Sequence, residues 1–161
     1  NKAASITLSN ANKTAVGTST VSALVRSTIG KSSGKWYWEC TVLTADTMSM
    51  GVVESAAGTA HMPGNSPDGA GYLWQGNVQT LGGSLLASVA TYTTGDVIGF
   101  ALDVTGQALD FYKNNAFQVR AGLSVTTYYA AAGYFANCTA NFGASTFAYS
   151  PPAGYNPGLY N

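Results

Sequence analysis

The stretch GDVIGFALDVTGQALDFYKNNAFQ, residues 95–118, alternates apolar and other residues with a period of two, which confines it to strands. Ile98, Phe100, Leu102 and Val104 share one face, and Val97, Gly99 and Ala101 share the other, so this strand is expected to be buried on both sides. Thr105-Gly106 predicts a tight turn, and ALDFYK (108–113) returns antiparallel. The same period runs through SITLS (5–9), STVSALVRSTI (19–29), WYWECTV (36–42), MSMGVVE (48–54) and AGYLWQG (70–76). It continues in YYAAAGYF (128–135), NCTANF (137–142) and STFAYS (145–150), and Pro151-Pro152 is expected to end regular structure. The glycine in MSMGVVE marks a place where something packs closely, and Gly82-Gly83 marks a bend. No stretch carries a helical period. About a dozen short strands with turns between them predict an antiparallel β-sandwich, with residues 1–161 as one domain.

Composition narrows the function classes. The chain is 46% hydrophobic but only 9% charged, against about a quarter in ordinary domains. Its surface must be built from Thr, Ser, Asn, Gly and Ala, which suits a chain outside the cytosol or inside a large assembly. Net charge is zero and the basic residues are scattered, so no stripe exists to neutralise a nucleic-acid backbone. No apolar run is long enough for a membrane helix. The chain starts at Asn1 without a signal-like stretch, and a piece of a longer polypeptide is the expectation. Cys40 and Cys138 lack metal-knuckle spacing; two buried thiols are favoured over a cross-strand disulfide, which needs the two strands to be neighbours.

Catalysis finds little support. A glycosidase needs a pair of carboxylates across the scissile bond, and Glu39 and Glu54 are the only glutamates, on different strands. A triad would have to be assembled around His61, the only histidine, and no G-x-S-x-G is present. The aspartates are dispersed and form no calcium loop, so neither metal nor cofactor is expected. The informative irregular stretch is ESAAGTAHMPGNSPDGAGYLW (54–74), with His61 and Asp68 in a long Gly- and Ala-rich loop. Binding residues concentrate on such loops, while a plain solvated loop is the equal alternative. Tyr72 and Trp74 share a face and can anchor a sugar or peptide, although an aromatic pair in a strand is more often core.

Four segments taken together, GKWYWECTV (34–42), GDVIGFALDV (95–104), LDFYKNN (109–115) and NFGASTFAYSPPAGY (141–155), resemble the SPRY domain. The resemblance is closest to SPRY-like domains of structural and tail proteins of tailed bacteriophages. It implies a bent two-sheet sandwich of the concanavalin-like, jelly-roll superfamily, all-β and non-enzymatic. Asn115 stands where the family usually has Gly, and Asn tolerates the same turn. The resemblance further implies a recognition module that binds short peptides or protein surfaces through loops at one end. In the phage setting the partner would be a host-surface glycan or protein, or a neighbouring virion protein, and the location a virion surface. It places the loop after the MGVVE strand in the ligand pocket, bordered by Tyr134 and Phe135 just before the Asn137-Cys138 strand. The expected site is therefore His61, Asp68, Tyr72, Trp74, Tyr134 and Phe135, with the 95–118 hairpin as framework.

Overall fold

The computed structural model describes residues 1–18, 23–124 and 127–159. Residues 19–22, the start of the predicted 19–29 strand, lie outside the described residues. Strands numbered in chain order are β1 (Ile6–Ser9), β2 (Thr14–Gly17), β3 (Leu24–Lys31), β4 (Lys35–Val42), β5 (Met48–Glu54), β6 (Ala70–Leu73) and β7 (Asn77–Thr80). They continue with β8 (Ser84–Ser88), β9 (Val97–Asp103), β10 (Ala108–Lys113), β11 (Ala116–Gly122), β12 (Tyr128–Tyr134), β13 (Asn137–Asn141) and β14 (Asn156–Pro157). No helix occurs among the described residues. One sheet has the order β1-β2-β13-β4-β9-β10-β11, with β14 beside β4, and the other β3-β12-β5-β6-β7-β8. Every pairing is antiparallel except β14 with β4. The all-β two-sheet sandwich expected from the alternation is the fold observed.

Aromatic rings join the two sheets. Trp38 stacks on Phe100 at 5.0 Å, Phe100 meets Phe111 edge-on at 5.8 Å, and Phe111 meets Tyr72 of the other sheet at 5.9 Å. Tyr92 closes the chain against Tyr72 at 5.1 Å. Such geometries add about 0.5–1.5 kcal/mol per pair beyond area burial. The two faces of WYWECTV divide as the alternation requires: Trp38, Cys40 and Val42 enter this core, while Tyr37 and Glu39 are buried on the opposite face.

What covers that opposite face corrects one expectation. Residues 145–150 are not a strand. The buried Glu39 carboxylate accepts the N–H groups of Ala148 (2.8 Å) and Tyr149 (2.9 Å), together with the Tyr37 hydroxyl (3.0 Å). Phe147 packs edge-on against Tyr37. These backbone donors are satisfied by a carboxylate, so the segment needs no ladder partner. Glu39 is a clamp for the return of the chain.

The opening hairpin is framework too. Its first turn spans Val104–Gln107 rather than two residues, since Asp103 pairs with Ala108. Gln107, not Gly106, takes the left-handed conformation (φ 55°), and the Asp103 carboxylate accepts the Gly106 N–H at 2.7 Å. The second turn is the two-residue kind, with Lys113 opposite Ala116 and both Asn114 (φ 47°) and Asn115 (φ 69°) left-handed. That is the conformation of a type I′ turn, which asparagine tolerates. Asp96 holds this corner through the Thr93 N–H (2.7 Å), the Asn114 side-chain amide (2.7 Å) and the Lys113 ammonium (3.1 Å).

The six-stranded sheet has no solvent face over its middle. All seven residues of β5 and all four of β6 are buried. Alternation sends Met48, Met50 and Val52 into the sandwich, while Ser49, Gly51 and Val53 face outward. The segment 55–69 lies over that outward face. Ser49 Oγ donates to the Pro63 carbonyl at 2.8 Å, and the N–H groups of Leu24 and Gly83 donate to the carbonyls of Thr59 (3.0 Å) and Gly64 (2.8 Å). Leu24, Val53 and Ala57 form a small second core there, with Tyr129 and Ala131 packed on it. Close approach depends on missing side chains: a Cβ at Gly71 would stand 2.1 Å from the Pro63 carbonyl oxygen.

Two outcomes follow for stability. Gly71→Ala is expected to cost about 1–3 kcal/mol by forcing the covering segment away, and to open residues 55–66 to protease. Gly122→Ala, where an added methyl meets nothing within 4 Å, is expected to stay within about 0.5 kcal/mol; denaturant unfolding of both variants checks the contrast. For Asp96, burial pushes the carboxyl up, but the Thr93 N–H, Asn114 amide and Lys113 ammonium outweigh it, and the group sits below the usual carboxylate range. Its stabilisation is therefore full above the ordinary carboxylate pKa and is lost as pH falls through the lowered folded-state value. Asp96→Asn is expected to be less stable at neutral pH and to lose less stability than the wild type between about pH 5 and pH 2.

Candidate functional site

The covering segment starts at the Glu54 end of the sheet and crosses to the other end. Arg26 fixes its start: the guanidinium donates to the carbonyls of Glu54 (3.2 Å) and Ser55 (2.9 Å) while lying over the Tyr129 ring. At the far end Met62 is buried against Gly133, where an added Cβ would approach the Met62 Cβ to 2.8 Å. This places His61 beside the end of β12, with its Nδ1 buried and without a hydrogen-bond partner.

Tyr134 and Phe135 follow at that same end. Tyr134 opposes Met48, and the Trp74 N–H donates to the Met48 carbonyl at 3.0 Å, so Tyr134, Met48 and Trp74 stand in one row. Met48 is fully buried, whereas Trp74 is 37% exposed and Tyr134 and Phe135 are half-buried. Tyr134 has φ 60°, uncommon for an aromatic residue. Two backbone bonds hold it there, Tyr134 N–H to Ala23 (2.9 Å) and Phe135 N–H to Thr47 (3.0 Å). Backbone strain of this kind gathers where a side chain must be aimed. Three uncharged aromatic residues thus stand along this sheet end as a ridge interrupted by the buried Met48, with Trp74 on one side of it, Tyr134 on the other and Phe135 next in the chain.

Two expected site residues lie elsewhere. Tyr72 is fully buried, its hydroxyl donating to the Ala90 carbonyl and its ring packed on Tyr92 and Phe111. Burial foremost, then the Asp96 charge, pushes that hydroxyl up to about 12. It is a core residue because it points into the sandwich from β6, whereas Trp74 lies past the strand end, where alternation no longer governs. Asp68 sits at the opposite end of the sheet, where it accepts the Ser124 hydroxyl at 2.9 Å. Ser124 is itself bound by Tyr128, whose backbone partner is Glu54. Asp68 therefore anchors the return of the loop and does not reach the ridge. Met62 and Arg26, which seat the loop, carried no sequence signal beyond being apolar and basic.

Cys40 and Cys138 lie on the neighbouring strands β4 and β13, buried and unbonded, as the favoured thiol reading expects. No group of three or more His, Cys, Asp or Glu side chains gathers to hold a metal among the described residues.

The SPRY domain family profile matches residues 35–145, and the chain belongs to that family, whose members are generally protein-interaction modules. Its fold is similar to the SPRY domain of human HERC1, with 17% identity and a TM-score of 0.70 over 84% of this chain and 88% of that one. It is likewise similar to another human SPRY domain, with 17% identity and a TM-score of 0.72 over 88% and 98%. No curated protein matches the chain.

The ridge and the core make opposite demands. Tyr134→Gly is expected to leave stability unchanged or raise it, because the left-handed backbone no longer carries a side chain. Tyr72→Phe is expected to cost about 1 kcal/mol by stripping the Ala90 carbonyl of its donor; thermal and denaturant unfolding of the two variants checks the difference.

Proposed function

We propose that this SPRY domain is a non-catalytic recognition module that binds an extended segment of a partner protein across the Trp74–Tyr134–Phe135 ridge. The observation that carries this reading is the set of aromatic side chains held partly exposed at one sheet end, one of them on a left-handed backbone. Buried Tyr and Trp anchors dominate protein interfaces, and they do so without charge. The resemblance to tailed-phage SPRY-like domains supplies a setting, a virion surface facing a host protein or glycan. Residues 1–161 act as one module within a longer chain in that setting.

Selection from a displayed random-peptide library, run beside a glycan array, tests the reading. Enriched peptides are expected to lose at least about tenfold in affinity on Trp74→Ala or Phe135→Ala, as anchors of an interface do. They should change little between low and high salt, because no charged side chain is involved. Binding on the glycan array alone, abolished by the same substitutions, moves the reading to a lectin-like adhesin. Peptides that bind equally to both variants contradict the ridge as the site.

A second reading has its own observation. Leu81, Leu85 and Leu86 are exposed (59%, 60% and 43%) on the β7–β8 hairpin at a sheet edge. An uncharged apolar edge is a template for association, which fits a virion decoration or assembly domain. This reading expects concentration-dependent self-association in sedimentation that Leu85→Lys removes. A monomer at all concentrations contradicts self-association as its route.

A further inference from the structure

We infer that the open side of the sandwich is a binding site for a small apolar carboxylate, of the class of medium-chain alkanoates. Between β3 and β12 on one sheet and β1, β2 and β13 on the other lies a cavity of about 380 Å³, within the size range of small-molecule sites. It exists for two structural reasons. The inward side chains there are short: Ala130, Ala132, Ala140 and Ala15 line it, with Trp38 among the larger lining residues. The β3 edge also bulges, because Tyr129 pairs with Gly30 while Ala131 pairs with Arg26, leaving Ala130 opposite three residues. A bulge of this kind bends the edge strand and holds it off the facing sheet.

The chemistry of the wall selects the occupant. No carboxylate lines the cavity, and the two charged residues at it are Arg26 and Lys13. The Arg26 guanidinium is turned outward onto the loop carbonyls and Tyr129. Lys13, in the turn just before β2, lines the cavity with its carbonyl accepting the N–H of Ala140 at 2.8 Å, and it makes no ion pair among the described residues. A slender apolar body is thus met by methyl groups and an indole, and one negative charge is met by an ammonium at the mouth. Cys40 and Cys138 also line the cavity. The hydrogen bond to Cys138, then burial, pushes the Cys40 thiol well up, so that thiol adds no repulsion to an anion.

Titration of the whole chain with decanoate, decanol and decylamine by calorimetry tests the assignment. Decanoate is expected to bind and decylamine not to bind. Lys13→Met is expected to weaken decanoate by about fivefold, the range of a partly exposed ion pair, while leaving decanol unchanged. Ala132→Leu, which fills the cavity without adding charge, is expected to abolish both. The NMR methyl resonances of Ala130, Ala132 and Ala140, which line the cavity, should shift when decanoate is added, which places the ligand independently of any variant. Absence of decanoate binding by the folded wild-type chain, binding that survives Ala132→Leu, or equal affinities for all three ligands would each overturn the proposal. The peptide-binding ridge is at a different place in the fold, so neither result decides the other.

Discussion

The burial of β5 and β6 on both faces is the constraint from which the rest of the structure follows. The outward residues Ser49, Gly51 and Val53 carry no charge to hold water over a sheet this wide, and the outer face is covered from within the chain. The segment 55–69 is that cover. It carries small residues because the sheet beneath has given up its own side chains at Gly71 and Gly133 to receive it. The cover closes the middle of the outer face and leaves Trp74 and Tyr134 partly exposed at the sheet end, level with the buried Met48.

Charge is used sparingly and locally. The ion pairs Lys35–Asp103, Lys113–Asp96 and Arg120–Asp110 all belong to the β4 and β9–β11 region, where they hold turns and edges. Glu39 spends its carboxylate on two backbone donors of the chain's return. These are framework tasks, and they leave the ridge without charge. In the function proposed for it, recognition there would rest on shape, aromatic contact and backbone groups.

Much of this was legible in the sequence because a period of two survives wherever one face is buried. The faces of 36–42 and 95–104 came through residue by residue, as did the paired asparagines of the 113–116 turn. Strands β2, β7, β8 and β11 were not legible: NVQT and SLLAS are short and mostly exposed, so no alternation marks them. The 145–150 segment misled for the reverse reason, since its pattern is strand-like but its donors go to Glu39. Of the expected site residues, Trp74, Tyr134 and Phe135 stand at one sheet end, Tyr72 is in the core and Asp68 is at the opposite end. Alternation carries no information about which end of a sheet a long loop returns to, and a loop's residues reveal nothing of the face beneath them.

Amide hydrogen exchange at Leu24, Gly82 and Gly83 tests the covered sheet most directly. Their N–H groups donate to carbonyls of Thr59, Ser66 and Gly64, so only a seated loop protects them. Protection comparable to that of the β5 amides is the predicted result. Rapid exchange at all three while β5 stays protected would show the loop to be a free surface segment, and the account of why the site sits at the sheet end would fail with it.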